Sequence, residues 1–221
     1  IYLNNVGNIL SKLGKIEESR EMYRKAIKLE KNYAISYQNL GLSFYLAKEY
    51  DSALKNYHKC TLVDNIQPFY WQQYGNCLWA LKRYEESLEA YYKVRMLDPT
   101  NVDSYLLIAT ALKILGRNKE LQELILSNLD SINSKPSDKI SETKISKLSE
   151  LFNILGEVYF EAKDFHKSID AFNRSIDLSS NKPVVYRNII NAYTAVGDNK
   201  QVAFYSDKLS KLLTKSVDSD R

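Results

Sequence analysis

The fold is decided by one stretch of the chain, residues 68–101, which reads PFYWQQYGNCLWALKRYEESLEAYYKVRMLDPTN. Its first half predicts an amphipathic helix, because large apolar residues recur there at helical spacing. These residues are Trp71, Tyr74, Leu78 and Leu81. Its second half predicts another helix that ends at Asp98, since a proline disfavours helical backbone in the residue before it. A lone hairpin of this length cannot bury both of its faces, so the stretch requires neighbours of the same kind.

Such neighbours are present as further copies of the hairpin along the chain. Residues equivalent to Gly75 recur at an interval of 34 positions, with one interval of 47. They are Gly7, Gly41, Gly75, Ala109, Gly156 and Ile190. A small residue in this column lets the two helices of a hairpin approach closely. Ile190 breaks that rule and predicts looser packing in the last copy.

A second column marks the turn between the two helices, seven positions after the first. Its members are Gly14, Lys48, Lys82, Gly116, Lys163 and Gly197. Glycine readily adopts the left-handed backbone that ends a helix. The three lysines are expected to adopt it at a cost, because their Cβ crowds the backbone there.

This 34-residue unit resembles the tetratricopeptide repeat. The matching residues are Trp71, Tyr74, Gly75, Leu78, Ser87, Tyr91 and Pro99. The resemblance implies an all-α, right-handed α-solenoid of about six helix-turn-helix repeats. The repeats are predicted at 1–33, 34–67, 68–101, 102–135, 149–182 and 183–216, with an insertion at 136–148 and a polar, disordered tail at 217–221. The connection at 131–146 is rich in Ser and Lys, and it is expected to be exposed and mobile or a frayed helical extension.

Composition narrows the range of partners and locations. The chain has 221 residues and a net charge of +4, and its Lys and Arg residues form no dense run, so no nucleic-acid partner is predicted. No apolar run is long enough for a membrane span. Cys60 and Cys77 are expected to be small buried thiols, which suits a cytoplasmic location. The pattern is already helical at Ile1, which suggests a piece of a longer protein.

Residues that could perform catalysis are sparse. His58 and His166 stand apart from any Cys, His or carboxylate at ligand spacing, so a solvated helix face is favoured over a metal site. No Gly-rich phosphate loop, nucleophile elbow or HExxH motif occurs. The sequence therefore predicts no enzyme, no cofactor and no metal.

A binding surface is predicted instead on the first helices, which in the resembled family line a concave groove. The predicted peptide-binding residues are Asn5, Asn8, Asn39, Tyr45, Phe69, Gln72, Gln73, Asn76, Trp79, Asn188 and Asn191. Their amides match the donors and acceptors of an extended peptide backbone, and their aromatic rings serve as anchors. The amides resemble the asparagine ladder in the repeat region of O-GlcNAc transferases. Two alternatives stay open: a solvated groove wall for the amides, and packing against the next repeat for the rings.

The predicted function is that of a non-catalytic adaptor or scaffold that holds an extended peptide or a partner helix. An alternative is the substrate-recruiting or regulatory region of a larger enzyme such as a glycosyltransferase. Self-association through the terminal repeats is a third hypothesis. The carboxylate clamp known in the family is disfavoured, because its basic stations hold Asn4, Phe69 and Gln73 here, which supply no charge-assisted bonds.

Overall fold

The computed structural model describes residues 1–127 and 141–219, with side chains to residue 214. The described residues form α-helices and short connections, without strands. The helices are α1 (Tyr2–Lys12), α2 (Ile16–Leu29), α3 (Ala34–Leu46), α4 (Tyr50–Val63), α5 (Pro68–Ala80), α6 (Tyr84–Leu97), α7 (Val102–Ile114), α8 (Asn118–Ser127), α9 (Glu142–Glu161), α10 (Phe165–Leu178), α11 (Pro183–Ala195) and α12 (Asn199–Ser219). The all-α repeat class predicted from the sequence is thus confirmed.

The chain divides into two compact units, Ile1–Ser104 and Tyr105–Arg221. In the first unit, α1 packs on α2, α3 on α4 and α5 on α6, and each pair also contacts the next. In the second unit, α9 packs on α10 and α11 on α12, with α10 against α11. In these five hairpins the first helix contacts its own second helix most extensively, as a hairpin repeat requires.

Small residues on the first helices receive aromatic rings from the second helices. A Cβ placed on Gly75 would lie 2.6 Å from Cε1 of Tyr91, and one on Gly156 would lie 2.5 Å from Cε1 of Phe172. Both rings are about 1% exposed, so they have little room to move aside. Glycine is required at these positions because the ring occupies the space of a side chain.

Residue size is complementary between this column and the residue sixteen positions later. The six pairs are Gly7–Tyr23, Gly41–Tyr57, Gly75–Tyr91, Ala109–Ile125, Gly156–Phe172 and Ile190–Ser206. The larger Ile190 is paired with Ser206, at the position where the other repeats carry a large side chain. Ile190 packs against the core cluster of the last repeats, which is consistent with the exchange of sizes.

The turn column adopts the predicted left-handed backbone in all six repeats. The φ angles are 76°, 69° and 77° at Gly14, Gly116 and Gly197, and 62°, 60° and 61° at Lys48, Lys82 and Lys163. The carbonyl groups left open by the ending helix are bonded in the turn; for example, the Glu49 amide donates to Phe44 O over 2.9 Å.

Replacing Lys48, Lys82 or Lys163 by glycine is expected to stabilise the chain. A left-handed non-glycine residue costs about 1–2 kcal/mol, of which roughly 0.4–1 kcal/mol is returned by the greater freedom of unfolded glycine, leaving a gain of about 0.5–1 kcal/mol per site. Urea unfolding measures it. Lys55→Gly, in the exposed interior of α4, is the control and should lose stability. Lower stability in all three turn variants would contradict the claim that the left-handed backbone of these lysines is strained.

The predicted insertion, 136–148, ends earlier in the structure than the sequence indicated. Helix α9 already begins at Glu142, and the Ser141 hydroxyl caps it by accepting a hydrogen bond from the Lys144 amide over 3.3 Å. Leu148 is buried, so this added turn joins the core. The helical alternative is therefore the correct one for the described end of the connection, while residues 128–140 lie outside the described residues.

The prediction of a disordered tail at 217–221 is wrong for its first residues. Helix α12 continues to Ser219, beyond the predicted end of the last repeat at residue 216. The sequence from 215 to 219, KSVDS, has no glycine or proline to stop a helix, so the backbone continues.

The two cysteines are buried as predicted and are free thiols. Cys60 donates to Ala34 O over 3.4 Å and Cys77 donates to Tyr50 O over 3.2 Å, so each thiol tethers one helix to a residue of another. Burial raises the pKa of each thiol to about 12. Both thiols are therefore protonated at neutral pH and serve packing.

Candidate peptide-binding surface

The predicted binding residues lie on the first helices of the repeats. We call the side of α1, α3 and α5 that carries them the first-helix surface of unit one, and the corresponding side of α9 and α11 the first-helix surface of unit two. Most of these side chains are half-buried, while Asn5, Phe69 and Asn191 are exposed. Hydrogen bonding divides the amides into two groups with different roles.

In unit one, three asparagines from two repeats bond to one another. The Asn39 amide donates to Oδ1 of Asn4 and to Oδ1 of Asn8, over 3.0 Å in each case. The Tyr23 hydroxyl also donates to Asn8 Oδ1, over 2.8 Å. Asn4 is 2% exposed, so its carbonyl oxygen needs this internal partner. Asn39 therefore links its repeat to the preceding one, and it is less available to a ligand than the sequence suggests.

Unit two repeats the arrangement at the same spacing. The Asn188 amide donates to Asn153 Oδ1 and to Glu157 Oε1, again over 3.0 Å. Asn153 also donates to Glu157 Oε1 over 2.8 Å. Glu157 occupies the place of Asn8, and it accepts a further bond from Nζ of Lys113. The predicted site residue Asn188 thus belongs to an internal network.

Asn76 has an internal partner as well. Its Oδ1 accepts from the Tyr91 hydroxyl over 3.1 Å. Burial raises the pKa of that hydroxyl, so it remains a donor across the ordinary pH range. Asn76 therefore retains its amide N–H groups, but not its full acceptor capacity, for a ligand.

The remaining predicted amides have no hydrogen-bond partner among the described residues. The side chains of Asn5, Gln72, Gln73 and Asn191 make no hydrogen bond to any described residue. Gln72 and Gln73 are adjacent on the half-buried part of α5. A ligand can engage any of these four amides without breaking a bond of the fold, and Gln72 and Gln73 are the two that lie next to each other.

The aromatic residues contact other rings of their own repeats. Tyr45 contacts Tyr50 edge-on with ring centroids 5.3 Å apart, and Trp79 contacts Tyr84 in the same way at 5.0 Å. Phe69 packs on Tyr70, its neighbour in the same helix, at 5.9 Å. Tyr45 and Trp79 thus contact the start of their own second helix, and Tyr45 also packs against a core cluster that includes Cys77 of the next repeat. The rings stay half-buried or exposed, so a ligand meets surfaces that are already oriented.

A cavity of about 190 Å³ opens on the first-helix surface of unit two. Its lining residues are Lys113, Glu157, Phe160, Glu161, Phe172, Asn188 and Asn191. Only Asn188 and Asn191 were predicted as site residues. In the sequence Glu157 directly follows Gly156 and Lys113 lies four positions after Ala109, but nothing there indicated that they form an ion pair.

Among the described residues, no group of three or more His, Cys, Asp or Glu side chains is placed to hold a metal ion. The described helices include none that is long and apolar enough to cross a membrane.

The paired helices, the 34-residue period and the left-handed turns define the class: an all-α helical-repeat protein. Two family models agree. One, described as TPR repeat, matches residues 7–48, and one, described as Tetratricopeptide repeat, matches residues 70–101 and 149–182. The chain belongs to the tetratricopeptide-repeat family, whose repeats form protein-interaction scaffolds. The predicted membership is thus confirmed.

Three known proteins illustrate the similarity. Neutrophil cytosol factor 2 of Bos taurus is 38% identical over 52 residues, which cover 24% of this chain and 10% of that relative. The C-terminal part of a TPR repeat-containing protein from Cytophaga hutchinsonii superposes with a TM-score of 0.70 at 18% identity, covering 96% of this chain and 80% of that one. YrrB, described as a TPR protein with an unusual peptide-binding site, superposes with a TM-score of 0.61 at 18% identity, covering 86% and 91%. The two structures show the fold.

Proposed function

We propose that the chain is a non-catalytic scaffold that holds an extended peptide or a partner helix against its first-helix surfaces. The observation that carries the proposal is the pair Gln72 and Gln73, whose amides have no partner among the described residues. Together they offer two carbonyl acceptors and four N–H donors, which is the complement of peptide backbone. The name of YrrB, a protein of the same fold, is consistent with peptide binding.

Trp79, six positions after Gln73 on the same helix, supplies an anchor. It is half-buried, and its ring is held edge-on by Tyr84, so little conformational freedom is lost when a ligand covers it. Backbone bonds from Gln72 and Gln73 would tolerate many peptide sequences, while the ring would favour an apolar side chain. A cytoplasmic location, self-association and the absence of nucleic-acid and membrane partners stay predictions from the sequence.

The double change Gln72→Ala and Gln73→Ala is expected to weaken peptide binding about tenfold, since each lost hydrogen bond is worth roughly 0.5–1.5 kcal/mol. Peptides of about ten residues, selected from a random display library on the whole chain, are the probes. Fluorescence anisotropy gives Kd for the original and changed chains, and urea unfolding should be unaltered.

Gln201→Ala on α12 is the matched control and should leave Kd unchanged. Asn39→Ala serves as the contrast, because it should lower the stability of unit one. An unaltered Kd in the double variant, or a library that yields no binding peptide, would refute the proposed role of these amides.

A further inference from the structure

We infer that the cavity on the first-helix surface of unit two binds a basic side chain, arginine or lysine, of the partner peptide. The inference rests on the proposed function, since it names the chemistry of the partner held there. The volume of about 190 Å³ is below the roughly 300–1,000 Å³ of typical small-molecule sites. It therefore suits one side chain of a larger ligand.

The positive charge of Lys113, which lines this cavity, is already neutralised by a carboxylate of the protein. Lys113 is the single basic residue in the lining, and its Nζ pairs with Glu157 Oε2. The two side chains are 30% and 27% exposed, so the pair is sheltered from solvent. Lys113 keeps N–H donors besides the one directed at Glu157, but its charge is already offset, and an acidic ligand would also meet a second carboxylate nearby.

That second carboxylate is Glu161, one helical turn after Glu157 on α9. It is exposed and makes no hydrogen bond or ion pair with any described residue. Two glutamates and one lysine give the lining a formal charge of −1. Glu157 accepts three hydrogen bonds, while a carboxylate has about four acceptor directions, so one direction is left for a further donor.

The wall of the cavity also carries an aromatic ring and an amide that suit a cation. Phe160 lines it, and its ring is held edge-on by Phe165 with centroids 5.4 Å apart. A guanidinium or ammonium group is attracted to such a ring face. The side-chain amide of Asn191 has no partner among the described residues and offers a neutral acceptor. A cation thus gains carboxylate, ring and amide contacts, whereas an anion meets like charge.

The test uses a library-selected peptide that binds unit two, synthesised with arginine, glutamine or glutamate at the position that approaches Glu161. Arginine is expected to bind about tenfold more tightly than glutamine, and glutamate more weakly than either. Glu161→Gln should reduce the preference for arginine to under about threefold, and Glu161→Lys should reverse the order of arginine and glutamate. Glu89→Gln, on α6 of unit one, is the control and should keep the original order.

The outcomes separate the two proposals. If peptides bind with equal affinity whatever the charge, or prefer glutamate, the basic-side-chain site is refuted while the scaffold function stands. A preference for arginine that survives Glu161→Gln also refutes the site, because the charge would then act elsewhere. If no peptide binds any variant, the scaffold function itself is refuted.

Discussion

Replacing Gly156 by valine is expected to destabilise unit two by about 3 kcal/mol or more, the upper range for overpacking a core. A Cβ at this position would already lie 2.5, 2.6 and 3.0 Å from three ring atoms of Phe172. The ring is 1% exposed and enclosed by other buried side chains, so it cannot turn away without disturbing its neighbours. Valine must therefore push α9 and α10 apart, and the loss of contacts extends along the hairpin.

A second change shows whether the clash causes the loss. Phe172→Ala alone should cost about 3–5 kcal/mol by leaving a cavity. Combined with Gly156→Val it should cost much less than the sum, because the valine enters the space that the ring vacates. Glu150→Val, at an exposed position of the same helix, controls for the lower helix propensity of valine. Urea unfolding of the original chain, the two single variants and the double variant gives a double-mutant cycle, and strict additivity would contradict the packing.

Replacing Asn188 by aspartate is expected to cost about 2–4 kcal/mol, since two hydrogen bonds are lost and a partly buried charge is left without a donor. The amide N–H groups that now donate to Asn153 Oδ1 and Glu157 Oε1 become a carboxylate oxygen that faces both acceptors. The side chain hardly changes shape, so the effect isolates hydrogen bonding and charge from packing. Thermal unfolding followed by circular dichroism measures it.

Asn191→Asp is the matched control for this change. It introduces the same charge on the same helix one turn later, at an exposed residue whose side chain has no partner among the described residues. It should shift the Tm little. Equal shifts in the two variants would mean that the added charge alone acts, and that the bonds of Asn188 contribute nothing to stability.

The amide side chains on the first helices show the limit of prediction from the sequence. Asparagine and glutamine recur on the first helices, and the sequence predicted that Asn39 and Asn188 bind a ligand, with a solvated groove wall as the alternative. In the structure Asn39 and Asn188 instead bond to residues 35 and 31 positions earlier, in the preceding repeat. Gln73 occupies the same position of its repeat but makes no such bond, and Leu42 stands there in place of Asn8, one of the two acceptors of Asn39. The position of a residue within the repeat therefore sets the direction of its side chain. Whether that side chain bonds within the fold depends on the residue that faces it in the preceding repeat.

The sequence by itself determined the helices, the repeat period, the left-handed turns and the burial of Cys60 and Cys77. These features follow from the order of apolar, small and turn-forming residues, whose effect is local or repeats with the chain. The tertiary structure alone decided which amides are consumed by the fold and that Lys113 is neutralised by Glu157. Those outcomes depend on hydrogen-bonding distances between side chains far apart in the chain, which the packing of the helices sets.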